Sequence, residues 1–597
     1  MADKSEQTKG TMVHDDEHFS SAADAASQVD QKPIEDMIEA TDNPDGIRRI
    51  ENITRSWNRR ALAGAYLTFW GAYLLFNFQR AFASNVGPYV VSSFGNHSLL
   101  PTISLVSYIM TGVMYLPMAK IINIYGRAES HIAMAVISGI GLILLTACQN
   151  IETYAAGIVL TEVGFNGLIY AVDIITADTS MLKSRALAYA FTMSSSIITA
   201  FGGPSAAQSL LPKEEHPDST SRLNPIWRWS FGSLALSLPI VVAPLYIILF
   251  WYERRAAQQH HVPQRPTETQ EPSGPLQRFL NALVRFDVLG IVVLATGQVL
   301  FLLPFSLAAS AERQWASGHI IAMIVLGVVL LAAFPFVEKR ISPHPFIPWR
   351  LLTDRTLLIV YAICALFLFS NSAYQSYFVS YLQVVYDLPI SHAGYIDGIS
   401  SVVSGIWKLI IGFFIRGTGS FKWLLVTALA VHALFLGLLI YFRHTGTAAG
   451  LLVMCQIILG IASGTIVICM NVGIVATVEH ADIAVTVALL GVCSYLGGAV
   501  GAAVSGAIWT STLPNKLLQF LPDADKGDVE MIYSSLQQQL SYAPGSPTRV
   551  AIADAYAATQ TWMLTGGTLV AGVALILAVL MKDIKLSARE QVVGVAL

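Results

Sequence analysis

Long apolar runs, separated by short polar connections, recur along the chain from residue 61 to residue 581. An α-helix rises about 1.5 Å per residue, so about 20 apolar residues cross a bilayer core of about 30 Å. The runs have about this length, and the strands of a membrane barrel are only about half as long. The pattern therefore predicts an all-α polytopic membrane protein with fourteen transmembrane helices. The predicted spans are 61–82, 99–125, 131–148, 153–175, 186–203, 229–251, 288–308, 320–337, 357–384, 393–415, 423–442, 450–474, 484–509 and 562–581.

Four polar segments fall outside this pattern. Residues 1–58 are polar and acidic, which predicts a disordered tail, and residues 583–597 form a second, short tail. Residues 253–286 are rich in Gln and Pro, which is typical of a linker. Residues 511–560 form a long segment before the last span, and we expect it to cover the mouth of a pathway because of its length and its mixed apolar and polar content.

Basic residues mark one face of the predicted membrane domain. They follow the first tail and recur in alternate connections, whereas the connections between carry few. Cytoplasmic loops show this excess of Lys and Arg. Both chain ends are therefore expected in the cytoplasm. The sequence leaves open whether the membrane is the plasma membrane or that of an endosomal vesicle. Residues of this basic face include Arg59, Arg127, Arg185, Arg254, Lys339, Arg416 and Lys582.

Composition agrees with a lipid environment. Hydrophobic residues make up 54% of the 597 residues and charged residues 13%, against about a quarter charged in soluble domains. The net charge of -3 gives no sign of a nucleic-acid partner. All five cysteines lie within or at the ends of predicted spans, so no structural disulfide is expected.

The first span carries one polar and aromatic face. Tyr66, Trp70, Tyr73, Asn77 and Arg80 follow one another at steps of four and three residues, which places them on one side of a helix. Lipid-facing positions rarely gather such residues, so this face is a candidate lining for a substrate cavity. The alternative is a packing face whose arginine reaches the external headgroups.

The fourth span carries two carboxylates on one face, Glu162 and Asp173, with Asn166 between them. A charged side chain inside a bilayer costs about 3 kcal/mol, so such residues usually face a cavity or a partner. Desolvation favours the protonated form of a carboxylate, which makes both candidates for proton carriers. The alternative is an acid that a basic partner keeps ionised.

The tenth span carries a polar strip of Asp397, Ser401, Ser404 and Lys408. A buried lysine needs a partner or water. Asp397 lies about 16 Å from Lys408 along the helix axis, so a direct partner must come from another helix. Structural pairing and a place on the substrate path both remain open, and Asp397 and Lys408 join the candidate proton-coupling groups.

Further candidate substrate contacts lie on the ninth and twelfth spans. Asn371, Tyr374 and Tyr377 belong to the ninth span, and Gln456 lies among small residues of the twelfth. Tyrosines are also common in cores and at membrane interfaces, which is the alternative for this face.

Motifs for covalent chemistry or nucleotide hydrolysis are not evident. The sequence contains no phosphate-binding loop of the Walker type, no His and Cys cluster with metal-ligand spacing and no Gly-x-Ser-x-Gly turn. The chain is therefore not expected to be an enzyme, to hold a metal or to carry a cofactor.

The connection after the second span resembles a family motif. Residues 119–127 read Ala-Lys-Ile-Ile-Asn-Ile-Tyr-Gly-Arg, which is similar to the Gly-x-Leu-Ala-Asp-Arg-x-Gly-Arg loop of the major facilitator superfamily. Gly126 and Arg127 match, whereas Asn123 and Ile124 replace the aspartate and the first arginine. The resemblance implies that Gly126 and Arg127 belong to a cytoplasmic gate.

A second resemblance concerns one branch of that superfamily. Residues 177–180, Ala-Asp-Thr-Ser, are followed by Arg185, and this exit of the fourth span resembles the fungal siderophore-iron transporters. The Trp-Arg-Trp of residues 227–229 and the long segment before the last span resemble the same branch. Asp178 lies near the membrane edge, where pairing with Arg127 or Arg185 would hold the cytoplasmic side shut.

These resemblances imply the major facilitator fold, with six-helix bundles at 59–252 and 338–582 and an inserted helix pair at 287–337. They imply a monomeric, proton-coupled importer of ferric siderophores of the hydroxamate type, working by alternating access. A wrapped ferric chelate is bulky, often neutral and oxygen-rich, so tyrosines and amides suit it, and its iron needs no protein ligand. The alternative is a fourteen-span drug–proton antiporter, whose Gly-x-x-x-Gly-Pro-x-x-Gly-Gly pattern survives here only as Gly203-Pro204.

Overall fold

The computed structural model describes residues 59–583 except 96, 181, 211–225, 260–283, 285–286, 309–310, 312, 343–350, 352 and 479–481. The predicted tail 1–58 lies outside the described residues, as do most of the predicted linker 253–286 and nearly all of the predicted tail 583–597.

The described residues contain nineteen α-helices and no strand. The first ten are α1 Arg59–Ser93, α2 Leu100–Tyr125, α3 Arg127–Ala147, α4 Ile151–Thr179, α5 Leu182–Met193, α6 Ser196–Leu210, α7 Ile226–Gln259, α8 Val288–Leu302, α9 Pro304–Leu307 and α10 Gly318–Phe336. The others are α11 Arg355–Gln375, α12 Phe378–Tyr386, α13 Ile390–Thr418, α14 Lys422–Phe442, α15 Ala449–Val475, α16 Ile483–Phe520, α17 Val529–Ser534, α18 Leu536–Ser541 and α19 Pro547–Leu580.

Twelve segments of the described chain are long and apolar enough to cross a membrane. The two remaining predicted spans correspond to α1 and α8. α1 has 35 residues and reaches across a bilayer, but its polar face lowers its hydropathy. α8 has only 15 residues and is continued by α9. The helices are thus compatible with the predicted count of fourteen.

Two further predicted spans are each built from two helices. α5 and α6 meet at Ser194 and Ser195, and α11 and α12 meet at Ser376 and Tyr377. Serine hydroxyls bond to nearby carbonyls and so compete with the regular helix. Ser194 and Ser376 each donate to a carbonyl about one turn earlier, at 2.7 Å and 2.9 Å.

The helices around the predicted external segment run further than the apolar pattern indicates. α16 continues past Trp509 to Phe520, and α19 begins at Pro547 instead of Trp562. Ser546 caps α19 by accepting from the next turn, and proline at the first helical position suits the start of a helix. Between these two helices lie only residues 521–546, which include α17 and α18.

The chain folds into two helical halves, α1–α7 and α11–α19, that meet along two seams. α2 packs against α16, and α13 packs against α5 and α6. Small residues permit this close approach. A Cβ on Gly405 would lie 2.7 Å from Ile197, and a Cβ on Gly112 would lie 3.2 Å from Tyr495. The helix pair α8 and α10 stands at the edge of the first seam, where α8 contacts α2.

Candidate functional site

A cavity of about 600 Å³ lies between the two halves. It occupies the part of the helices far from the start of α1, on the side called here the predicted external face. Polar and aromatic side chains dominate its lining, and its charged members are Arg80, Glu162 and Asp397. Ligand sites have volumes of roughly 300–1,000 Å³. The cavity is therefore large enough for a sizeable, mainly neutral molecule.

The sequence candidates divide into residues that line the cavity and residues that do not. Those that line it are Asn77, Arg80, Glu162, Asn371, Tyr374 and Asp397. Those outside its lining are Tyr66, Trp70, Tyr73, Asp173, Tyr377, Lys408, Gln456 and the four gate residues.

The polar face of α1 runs from the predicted cytoplasmic side into the cavity. Asn77 and Arg80 form its upper end in the cavity wall. Asn77 and Trp70 donate to the hydroxyls at the break Ser194–Ser195, at 3.0 Å and 3.1 Å. Tyr66 bonds at 3.2 Å to the hydroxyl that ends α4. The lower part of this face thus holds α1 against α4 and against the break between α5 and α6.

Arg80 and Glu162 form the charged part of the first wall. The two charges act on each other across the cavity surface. Asn166 donates to a carboxylate oxygen of Glu162 at 3.3 Å, and Tyr495 of the other half donates to the amide oxygen of Asn166. Glu162 is therefore linked through one amide to a helix of the opposite half.

A group of tyrosines lines the seam beside Glu162 and was not among the sequence candidates. Tyr108 and Tyr115 of α2 lie against Tyr495 of α16, with ring centroids 5.9 Å and 5.6 Å apart. The spacing of Tyr108 and Tyr115 by seven residues places them on one helix face, and this was the available signal. Tyr495 lies among glycines and alanines, where only the fold brings it to the seam.

Asp173 lies one layer below the cavity, towards the predicted cytoplasmic face. Its carboxylate accepts a hydrogen bond from Tyr73 at 2.6 Å. Lys408 of the opposite half is a cation whose charge acts on Asp173. Within the described residues, Lys408 makes neither a hydrogen bond nor an ion pair. Asp173 of the first half and Lys408 of the second half thus act on each other through their charges and not through a direct contact.

The opposite wall is formed largely by α11 and α13. Asn371 and Tyr374 reach the cavity from α11, and Asp397 reaches it from α13. Gln375 donates to the carboxylate of Asp397 at 2.6 Å. Gln375 lies next to Tyr374 but was not a sequence candidate. The helix break that follows Gln375 turns it towards the cavity, and the sequence pattern gave no sign of this break. His432 of α14 also lines the cavity, and a single histidine in an apolar span gave no signal of this.

Two sequence candidates of the second half lie in the protein core. The ring of Tyr377 stacks on Trp509 with centroids 3.6 Å apart. Gln456 is 0% exposed, and neither amide atom has a hydrogen-bond partner among the described residues. Both side chains are therefore buried outside the cavity lining.

The four gate residues lie at the predicted cytoplasmic ends of α2, α4 and α5. Gly126 has φ of 109°, which favours glycine, and starts α3 with Arg127. Arg127 pairs with Asp178 at 3.2 Å, and both side chains are buried. Arg185 donates to two carbonyls at the end of α4, at 2.8 Å and 3.1 Å. Of the two partners considered for Asp178, the ion pair is made with Arg127.

Contacts between the halves lie at both ends of the cavity. Towards the predicted cytoplasmic face, Tyr170 donates to the carbonyl of Ala484 at 2.6 Å. Towards the predicted external face, Tyr89 donates to the side chain of Gln383. The cavity is therefore bounded on both sides by bonds that cross the seam.

The segment after α16 lies over the predicted external end of the first half. The backbone N–H of Leu536 donates to Ser92 Oγ at 3.2 Å, and Nδ1 of His97 lies 3.2 Å from the same oxygen. The His97 ring packs on Tyr377 of the second half, with centroids 5.9 Å apart. Burial lowers the pKa of His97 to about 4. A neutral histidine thus joins both halves and the segment.

Arg549 fixes this segment to the second half. Its guanidinium donates to the carbonyls of Gln383 and Val384, each at 3.1 Å, and to the carbonyl of Gln539. It also pairs with Asp387 at 3.4 Å, a carboxylate that is largely exposed. One side chain therefore binds the end of α12, α18 and the start of α19 together.

Comparisons with known proteins agree with this architecture. The model of the Major Facilitator Superfamily matches residues 69–502. A bacterial homologue of the human lysosomal transporter Spinster, in an inward-facing and occupied conformation, is similar in fold with a TM-score of 0.51, although only 13% identical, over 88% of this chain and 97% of its own.

Two fungal relatives are similar over nearly their whole length. MFS siderochrome iron transporter D of Aspergillus fumigatus is 42% identical, covering 94% of this chain and 91% of the relative. MFS siderochrome iron transporter 1 of Ajellomyces capsulatus is 38% identical, covering 95% of this chain and 94% of the relative.

Proposed function

This chain belongs to the major facilitator superfamily, within the branch of the fungal siderochrome iron transporters, and we propose that it imports ferric siderophores of the hydroxamate type together with protons. It is a multi-pass membrane transporter and not an enzyme. Iron enters as part of the chelate, so the protein needs no metal or cofactor of its own. Within the described residues, no group of three or more His, Cys, Asp or Glu side chains could hold a metal.

The observation that carries this proposal is the cavity of about 600 Å³ between the two halves, whose lining combines polar, aromatic and apolar side chains. A wrapped ferric tris-hydroxamate is bulky and oxygen-rich, so it suits hydrogen-bond donors on an aromatic wall. Asn77 and Arg80 offer such donors on one wall, and Asn371 and Tyr374 offer them on the other. Both halves therefore contact the same cargo, as alternating access requires.

Transport proceeds by rocking of the bundles 59–252 and 338–582 about the cargo, with the pair 287–337 at the edge of the seam. The bonds at the two ends of the cavity break in turn. Opening towards the outside separates Tyr89 from Gln383, and opening towards the cytoplasm separates Tyr170 from α16. The glycine contacts along α13 let the halves pivot without side chains in the way.

Glu162 and Arg80 couple the first proton to cargo binding. Protonation of Glu162 from outside frees the guanidinium of Arg80, which then donates to an oxygen of the siderophore. Asp397 in the opposite wall is a second proton acceptor within reach of the same cavity.

Asp173 and Lys408 couple proton movement to the separation of the halves. When Asp173 is ionised, its attraction to Lys408 holds the seam together. Protonation of Asp173 removes that attraction and permits the cytoplasmic side to open. The Arg127–Asp178 pair and Arg185 keep the end of α4 in place as the gate of the same side. The protein acts as a monomer in the plasma membrane or an endosomal vesicle membrane, with both termini cytoplasmic.

Uptake of radiolabelled iron in cells that lack their own siderophore carriers tests this function. Cells with and without the protein receive iron bound to hydroxamate or catecholate siderophores, each with and without a proton uncoupler. We expect accumulation of hydroxamate-bound iron that stops on uncoupling. Accumulation that persists without a proton gradient would reject proton coupling, uptake of the catecholate alone would reject the ligand class, and export would reject import.

A further inference from the structure

A buried cation without a carboxylate partner lies at the end of α14. Arg443, which the sequence places between two spans, is 0% exposed. A buried guanidinium is costly unless its charge is compensated. The described part of the chain gives Arg443 no ion pair, and its Nε and Nη2 have no hydrogen-bond partner there. Other groups must therefore stabilise it.

Aromatic rings and two oxygen atoms supply this stabilisation. The guanidinium carbon lies 4.1 Å from the ring centroid of Phe378, 5.3 Å from that of Tyr374 and 5.7 Å from that of Tyr381. Such distances are typical of cation–π interactions. Nη1 donates to Gln560 Oε1 at 2.7 Å and to the carbonyl oxygen of Tyr374 at 3.3 Å.

These contacts converge on the joint between α11 and α12. The last four carbonyls of a helix lack partners within it, and the carbonyl of Tyr374 belongs to the last turn of α11. A cation at the C-terminal end of a helix is favourable. Arg443 thus caps α11 where the ninth span breaks. The aromatic rings around its guanidinium come from both sides of the break.

The same joint shapes the second wall of the cavity. Tyr374, Gln375 and Ser376 follow one another into the cavity lining just before α12 begins. Gln375 donates to Asp397, and the charge of Arg443 acts on Asp397 as well. A shift of the joint would therefore move three polar groups of the wall together.

We propose that Arg443 is a positioning residue for cargo binding: it holds the α11–α12 joint so that Tyr374, Gln375 and Asp397 face the cavity. Arg443 itself does not line the cavity, so its effect on cargo binding passes through the joint. The inference rests on the proposed function for the identity of the cargo. The geometry of the joint can be tested without any cargo.

Hydrogen exchange of the purified full-length protein tests the joint directly. Arg443→Gln should increase exchange at residues 374–381, and Arg313→Gln, which removes an exposed arginine of another connection, should not. Unchanged exchange in Arg443→Gln would overturn the proposal whatever the cargo proves to be. Arg443→Lys replaces the glutamine variant if that variant fails to fold, and failure of both to fold would assign Arg443 a purely structural role and overturn the proposal.

Uptake kinetics of ferric hydroxamate in the same cells test the consequence for binding. Arg443→Gln removes the strong hydrogen bonds that the charged guanidinium makes at the joint. The cavity wall should then bind the chelate less well, so KM should rise about ten-fold or more while the maximal rate changes less. Adding Gln375→Ala should then have little further effect, since both act through one joint. A wild-type KM in Arg443→Gln, or fully additive effects on KM in the double variant, would overturn this inference and leave the proposed function standing. Absence of uptake by the wild type would instead count against the proposed function.

Discussion

Replacement of His97 by asparagine should remove a specific acid sensitivity of the fold. In the native protein His97 is buried and neutral, and its pKa is lowered from about 6.5 to about 4 by burial. The unfolded chain binds a proton near pH 6.5, so the stability from a neutral His97 is present above that pH. It is lost as the pH falls towards 4. A difference of about 2.5 pH units corresponds to roughly 3 kcal/mol in all, of which about 2 kcal/mol is lost by pH 5.

Thermal unfolding of the purified protein between pH 7.5 and pH 4.5 measures this loss. His97→Asn keeps a polar side chain near Ser92 but does not titrate, so its unfolding temperature should fall less with acid than that of the wild type. His444→Asn is the matched control, because His444 is exposed and belongs to another connection. Equal acid sensitivity in the wild type and His97→Asn would refute the reasoning. It would also be refuted if His444→Asn reduced the acid-induced fall of the unfolding temperature as much as His97→Asn does.

Three further substitutions address coupling, the gate and the segment. Glu162→Gln should reduce proton-driven uptake at least about ten-fold while binding of the ferric siderophore changes less. The control Glu152→Gln, at the exposed start of α4, should change neither uptake nor binding. Equal uptake in both variants would exclude Glu162 from coupling. Arg127→Gln should destabilise the protein by about 3–5 kcal/mol because it leaves Asp178 buried and unpaired, and an unfolding temperature like that of the wild type would contradict this. Arg549→Gln should increase hydrogen exchange over residues 529–541 and slow uptake, and a protected segment in this variant would contradict its role as the anchor.

The apolar pattern predicted the fold well because lipid imposes one simple length on every span. The breaks at Ser194 and Ser376 escaped it, since serines also occur inside the unbroken helices of this chain, such as Ser138 in α3. The extensions of α16 and α19 escaped it for a related reason. Helices continue into water where caps such as Ser546 stabilise them, and hydropathy carries no signal for that.

The polar faces predicted which side of a helix turns towards the inside of the bundle but not how deep the cavity reaches. Glu162 and Asp173 share a face of α4, yet eleven residues separate them by about 16 Å. Only Glu162 lines the cavity, whereas Asp173 lies below it and accepts a hydrogen bond from Tyr73 of the same half. Asp397 and Lys408 divide in the same way on α13. Depth is set by where the two halves touch, and this is a property of the assembled bundle.

Single polar residues in apolar spans were the least predictable part of the site. Gln456 was a candidate and lies in the core, whereas Gln375 and His432 were not candidates and line the cavity. The sequence predicts that Arg443 is an ordinary arginine of a connection, because it follows the last apolar residue of its span. In the structure, the broken ninth span turns its carbonyls and rings towards this arginine.

Transport by the purified protein in liposomes tests the central claim most directly. Liposomes that contain only this protein are given a ferric hydroxamate siderophore outside and an interior more alkaline than the medium. If protons and the chelate cross together through one cavity, the chelate should accumulate inside above its external concentration, and dissipating the pH difference should release the excess. Simple equilibration that is indifferent to the pH difference would contradict the account.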